Sequence, residues 1–371
     1  MTEGHTALAH EFLLKGMPAA RAALSSAPEP RAVGATADAE GLRAAYLDLL
    51  KLALCDLTGT STMSVGAMPG VGVVSSELRG EDRGLRWAGI DWPLHGVTMV
   101  GLPRLADLQS CVETVVHESV PGDLIEAGTW RGGASILMRA VLDSLGCTDR
   151  TVVAADSFQG FPDLDPAESD GVDYSYEFFS APLDEVKENF ARFGYEEGVE
   201  FVQGFFEDTL PQLSDRTWAL VRLDGDSYSA TLAGLRSLYP FLSPGGYIVV
   251  DDYRVVEGCR RAVDEFRREH EITEPIEEVD WMCVRWRRES TAPLEVQPVP
   301  RGTGRAQLPN PREPRALDIP TRRELELARE LSDLRARLAE LEANRNGSRP
   351  ANLRRRLQRV RAAFRRGGRP T

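Results

Sequence analysis

Two short stretches of this 371-residue chain hold carboxylates in a pattern able to grip a metal ion. Leu223-Asp224-Gly225-Asp226 closes one apolar run, and Val250-Asp251-Asp252-Tyr253 closes the next. If those runs are neighbouring strands of a parallel sheet, their carboxyl ends lie about 4.8 Å apart, on the edge where such sheets bind ligands. Three or four carboxylates then converge. So much negative charge in one place calls for a cation, and oxygen-only donors select a hard one, Mg2+ or Mn2+. Asp224, Asp251 and Asp252 are the expected ligands. Asp226 is set apart as a helix cap, because a helix signal begins near Ser227. Capping of separate helices is the competing role for the whole set. Neither lysine nor histidine lies within four residues of Asp224, so the expected proton acceptor is a carboxylate, Asp224 itself. His95, His117 and His270 are far apart in sequence and are read as structural.

A second constellation suits a nucleotide-like cofactor. In Asp123-Leu-Ile-Glu126-Ala-Gly128-Thr129-Trp130-Arg-Gly132-Gly133-Ala-Ser135, an apolar strand runs into a glycine-rich turn and then a helix. Gly128, Gly132 and Gly133 let the backbone come close to a ligand, and the helix start offers free N–H groups to a carboxylate. The pattern Glu-x-Gly-x-x-x-Gly is not the dinucleotide fingerprint G-x-G-x-x-G, so a pyrophosphate is disfavoured. Glu126 stands where a carboxylate can accept from an ammonium group; an exposed acid at a strand end is the plain alternative. Asp156 ends the following strand, Thr151 to Ala155, where an acid can take both hydroxyls of a ribose. It can also cap the next helix, with Ser157 beside it. After a third strand, Gly204 and Phe205 can flank an adenine, although the phenylalanine can equally be core.

These residues need a scaffold that brings strand ends together. Short apolar runs at Asp123–Ala127, Val152–Ala155, Val199–Val202, Ala219–Leu223 and Tyr247–Val250 alternate with helical stretches at Ser135–Ser144, Leu183–Phe193 and Ser229–Tyr239. That alternation predicts an α/β fold, a parallel sheet covered by helices on both faces. A helix at Gly258–His270 and a strand near Trp281–Trp286 close the domain, and two helices precede it, Gly41–Leu57 and Arg104–Glu118. Residues 60–95 mix Gly, Ser and short apolar runs without clear period and are read as a mobile cover. The expected division is a disordered 1–40, an N-terminal helical, lid and oligomerisation segment 41–100, a catalytic-size domain 101–289, a Pro-rich linker 290–320, a short coiled coil 321–344 and a basic amphipathic tail 345–371.

Charge is distributed unevenly. Residues 291–371 hold 19 Arg against 9 acidic residues, so this part carries +10 and the rest −23 of the net −13. So acidic a body repels nucleic acid, which is not an expected partner. Leu327, Leu331, Leu334, Leu338 and Leu341 follow heptad spacing, and ten Arg without an acid follow Asn344. The tail is expected to be solvated or to meet an anionic membrane surface or an acidic partner. Five scattered cysteines without a CxxC pair, no run of about 20 apolar residues and no signal-peptide pattern predict a soluble, cytoplasmic protein with reduced thiols.

The segments GDLIEAGTWRGGASILMRAVL, ADSFQGFPDLD and LVRLDGDSYSATLAGLRSLYPFLSPGGYIVVDDY resemble the macrocin O-methyltransferase (TylF-like) family, over about residues 41–288. The resemblance implies a Rossmann-like class I methyltransferase fold with a mostly parallel seven-stranded sheet, S-adenosylmethionine, Mg2+, and methylation of a sugar hydroxyl on a glycosylated natural product. At matching positions it implies metal ligation by Asp224, Asp251 and Asp252. Cofactor contacts are implied at Glu126, Gly128, Trp130, Asp156 and Ser157, and from Thr98 in the segment TMVGLPR; Thr129 and Gly132 of the glycine-rich turn are expected to join them. It also implies a homo-oligomer, at least a dimer. The metal is then expected to bind the acceptor hydroxyl and lower its pKa for in-line attack on the sulfonium methyl. A catalytically silent cofactor-binding module recruiting a partner through the tail is the alternative, and a Rossmann oxidoreductase or sugar-nucleotide enzyme a more distant one.

Overall fold

The computed structural model describes residues 38–68, 72–162 and 174–296. The expectations for the disordered N-terminus, most of the Pro-rich linker, the coiled coil and the basic tail fall outside the described residues.

A seven-stranded sheet is the frame. Its strands are β4 (Asp123–Ala127), β5 (Val152–Asp156), β6 (Val199–Gln203), β7 (Trp218–Leu223), β8 (Leu242–Val250), β9 (Glu277–Glu278) and β10 (Val284–Arg287), in the order β6-β5-β4-β7-β8-β10-β9. The first five strands in that order run parallel, and β10 returns antiparallel beside β8. Successive strand residues point to opposite faces. Leu124, Val152, Leu220 and Val249 therefore enter one core with Leu105 and Leu108 of α3 (Leu102–His117) and Ile136 and Leu137 of α4 (Gly133–Ser144). Ile125, Val153, Val221 and Ile248 enter the other, with Leu235 and Leu238 of α7 (Tyr228–Leu238) and Val263 and Phe266 of α8 (Glu257–Glu269). This is why the strands read as unbroken apolar runs. Two further helices, α5 (Leu183–Phe193) and the single turn α6 (Phe206–Thr209), complete the crossovers.

Helix α1 (Ala39–Leu54) begins at Asp38, whose side chain accepts from Gly41 N–H at 2.9 Å, and buries Leu47, Leu50 and Leu54. Residues 60–95, read above as an aperiodic cover, instead form strands β1 (Ser61–Met68), β2 (Gly72–Arg79) and β3 (Trp92–Pro93), with α2 (Arg83–Trp87) between. The inward positions of β1 include the polar Thr62 and Ser64, which hides its alternation. Thr62 meets Arg86, 1% exposed, whose guanidinium donates to Asp91, Cys55 O, Thr62 Oγ1 and Met63 O, while the Ser64 hydroxyl donates to Trp92 O. Residues 65–68 and 72–76 fall in a second compact unit, distinct from the one that holds the other described residues. Strand β8 starts at Leu242, five residues before the expected Tyr247, because the turn-like Ser243-Pro244-Gly245-Gly246 is taken into the strand as an irregularity, with Gly245 at φ +86° and a register shift against β7.

Candidate active site

Most of the singled-out residues lie at the carboxyl ends of β4, β5, β7 and β8, around one cleft. Gly128 is at its floor with φ +97°, and a Cβ there would come within 1.7 Å of Asp224 O. The close approach expected for a ligand is thus made by the neighbouring strand: Asp224 N–H donates to Ala127 O at 2.8 Å. Gly128 thereby sets the spacing between the glycine turn and the acidic cluster.

Asp156 organises that turn. One carboxylate oxygen accepts from the N–H groups of Thr129 (2.8 Å) and Trp130 (3.0 Å), the other from Phe158 N–H (2.8 Å). Burial nevertheless holds its carboxyl above the usual range. Gly128, Trp130, Asp156, Ser157 and Phe205 line the cleft. Thr98, Glu126, Thr129, Gly132 and Gly204 are not among the lining residues. Thr98 is buried with its hydroxyl accepting from Val100 N–H and packs behind Gly133. Gly132, at φ +93°, starts α4 against Phe190.

Glu126 is not the exposed strand-end acid that was one of its two readings; it is 1% exposed. Its two oxygens receive Ser135 Oγ–H at 2.5 Å and the Arg222 guanidinium at 2.6 Å. Arg222 sits opposite it in the β4–β7 register and also reaches Asp224 and Asp251, each at 2.7 Å. The second oxygen of Asp251 is taken by Arg104 of α3, which pairs with Asp280 at 3.0 Å as well and donates to Gly89 O. Two buried arginines therefore knit α3 to the ends of β4, β7 and β8.

The expected trio Asp224, Asp251 and Asp252 is not the set brought to one point. Asp251 and Asp252 are successive residues just beyond the end of β8 and take different partners. Asp251 turns to the two arginines, while Asp252 meets Asp226, and Asp224, Asp226 and Asp252 place ligand atoms within 4.8 Å of one another. Asp226 is not the cap of α7: Ser227 is, accepting from Ala230 N–H at 3.2 Å, and Asp226 stands in the left-handed region at φ 51°. Burial pushes the carboxyls of all three above the ordinary range, and for Asp252 the neighbouring negative charges add to it. Asp252 Oδ2 is buried without a hydrogen-bond partner. Four carboxylates, those of Glu126, Asp224, Asp251 and Asp280, pair with the guanidiniums of Arg104 and Arg222, and Asp226 and Asp252 add two more acids beside Asp224. A divalent cation fits this excess of charge and the orphaned oxygen.

Residues 44–288 match the family model described as macrocin-O-methyltransferase (TylF). The chain belongs to that family. Within the macrocin-O-methyltransferase family, it is 42% identical over 267 residues to the 8-demethyl-8-(2,3-dimethoxy-alpha-L-rhamnosyl)-tetracenomycin-C 4'-O-methyltransferase of Streptomyces olivaceus, covering 70% of this chain and 98% of that one. It is 41% identical over 251 residues to the mycinamicin III 3''-O-methyltransferase of Micromonospora griseorubida, covering 66% and 96%. Among solved structures, the O-methyltransferase NovP superposes with a TM-score of 0.60 at 36% identity, covering 67% of this chain and all of the other. This macrocin-O-methyltransferase family member is an enzyme with the class I methyltransferase fold, and its methyl donor is S-adenosylmethionine. No helix among the described residues is long and apolar enough to cross a membrane.

Proposed function

We propose that the enzyme methylates a hydroxyl of a sugar carried by a small-molecule natural product, and that Asp224, Asp226 and Asp252 hold a divalent cation, Mg2+ or Mn2+, beside the acceptor. The observation that carries the metal reading is the convergence of three carboxylates, with Asp252 buried and one of its oxygens unpartnered, in the cleft that also receives the glycine turn. The sugar reading is supported by the two relatives, one of them named for a rhamnosyl acceptor. A cation held there would supply a Lewis acid for the acceptor oxygen. S-adenosylmethionine supplies its sulfonium methyl: the oxygen–methyl bond forms, the sulfur–methyl bond breaks, and the hydroxyl proton leaves.

The chain's own residues do the rest. Asp224 takes the proton, and its salt bridge to Arg222 keeps the carboxylate aimed at the cleft. Asp156 holds the ribose while fixing the Thr129-Trp130 backbone, with Gly128, Trp130 and Ser157 around it and Phe205 beside the adenine. Asp251 and Glu126 act through Arg222, as positioning residues.

Methyl transfer from labelled S-adenosylmethionine to a deoxysugar glycoside tests both parts. Label is expected on the sugar fragment by mass spectrometry, with turnover lost in EDTA and restored by Mg2+. Label on the aglycone would overturn the sugar reading, and turnover indifferent to EDTA the metal reading.

A further inference from the structure

The cleft has a second wall that the reaction chemistry does not use. Trp92, from β3, packs against Phe178 and Phe179 with ring centroids 5.4 and 5.2 Å apart. Phe161 stacks on Tyr174 at 4.2 Å, Tyr174 meets Phe179 at 5.1 Å, and Tyr176 stacks on Phe178 at 5.7 Å. These six rings come from two segments far apart in the chain, and they belong to neither of the cores that cover the sheet. Trp92, Phe161, Tyr174 and Phe179 line the same cleft as the carboxylate cluster. Phe178 is buried behind; Phe179, also buried, still borders the cleft, and Trp92, Phe161 and Tyr174 are half-exposed toward it.

The wall is anchored through its backbone. Trp130 Nε1–H donates to Phe178 O at 2.9 Å. One guanidinium nitrogen of Arg131 donates to Pro93 O, Leu94 O and Gly96 O at 3.0–3.2 Å, which fixes the segment directly after Trp92. Half-exposed rings held in place offer a flat apolar surface at little ordering cost to whatever lies on it.

We propose that Trp92, Phe161, Tyr174 and Phe179 form the aglycone subsite, which takes a flat, apolar ring system bonded to the sugar being methylated; this rests on the sugar reading above. A sugar hydroxyl at the acidic cluster is small and polar, so the remainder of the acceptor must run along the cleft, and ring faces are the surface that a planar hydrocarbon framework wets best. Adenine, the cofactor's own flat ring, is the competing occupant. Its expected place is the Gly204-Phe205 turn after β6, a different element.

The test is calorimetry on the full chain, saturated with S-adenosylhomocysteine and Mg2+, using 2-naphthyl and methyl α-L-rhamnoside as probes. The naphthyl glycoside is expected to bind at least about tenfold tighter than the methyl one. Trp92→Leu and, independently, Phe161→Leu are expected to bring the two within about threefold. Affinity for S-adenosylhomocysteine and the melting temperature should stay at wild-type values in whichever variant folds. Equal binding of the two probes by the wild type, or a preference that survives both substitutions, overturns the subsite and leaves the sugar reading standing. A parallel loss of S-adenosylhomocysteine affinity assigns the rings to the cofactor and also overturns it. Binding of neither glycoside overturns both readings.

Discussion

Asp224→Asn is expected to lower kcat by roughly a thousandfold or more while the Kd for S-adenosylhomocysteine changes by less than about twofold. The substitution removes a charge from the acidic cluster and the proton acceptor together, but keeps an oxygen able to accept from Arg222, so the fold should survive. The cofactor is held by the glycine turn and Asp156, whose hydrogen bonds do not involve the Asp224 side chain. Single-turnover kinetics with calorimetry of S-adenosylhomocysteine binding checks both halves. Wild-type turnover in the variant would remove Asp224 from the chemistry, and loss of cofactor binding would make it a structural residue of the turn.

Arg222→Met should show the largest effect on stability. Arg222 is 2% exposed and pairs with Glu126, Asp224 and Asp251 at 2.6–2.7 Å, so the substitution strands carboxylates from three strands in the interior. Removing one partner of a buried pair typically costs about 3–5 kcal/mol, a large part of the roughly 5–15 kcal/mol that holds a domain together. For a domain of this size, a fall in Tm of about 10–15 °C follows. Arg222→Lys should recover only part of it, because an ammonium cannot spread its donors across three carboxylates as the planar guanidinium does. Thermal denaturation of both variants decides. A Tm within about 2 °C of wild type for the methionine variant would show that the network does not hold the strand ends.

The sheet was legible in the sequence for one reason: its central strands are buried on both faces and therefore read as short, fully apolar runs between helical periods. Legibility ended where partners are set by register. Arg222 lies inside such an apolar run, and its partner Glu126 is 96 residues earlier, opposite it only because β4 and β7 pair with that offset. An arginine two residues before Asp224 in a doubly buried strand was the available signal, since it cannot stay there without acids. Arg104 carried less, because an arginine near a helix start is usually solvated; here it is 5% exposed on Asp251. Asp226 was misjudged through its neighbour: the helix does start there, but Ser227 caps it, which releases Asp226 toward Asp252. The pair Asp251-Asp252 looked like two ligands of one ion, whereas Asp251 is claimed by Arg104 and Arg222, two arginines from distant parts of the chain. In β1, the buried polar side chains of Thr62, which meets Arg86, and Ser64 masked the period that would have marked it as a strand.

The central claim is that carboxylates at the ends of β7 and β8 share one divalent ion, and Mn2+ binding followed by electron paramagnetic resonance addresses it without any acceptor. One tightly held Mn2+ per chain is expected in the wild type, and Asp252→Asn, which replaces the orphaned buried oxygen donor, should weaken it by at least about tenfold. A wild-type chain that binds no Mn2+, or an Asp252→Asn variant that binds it equally well, would contradict the account.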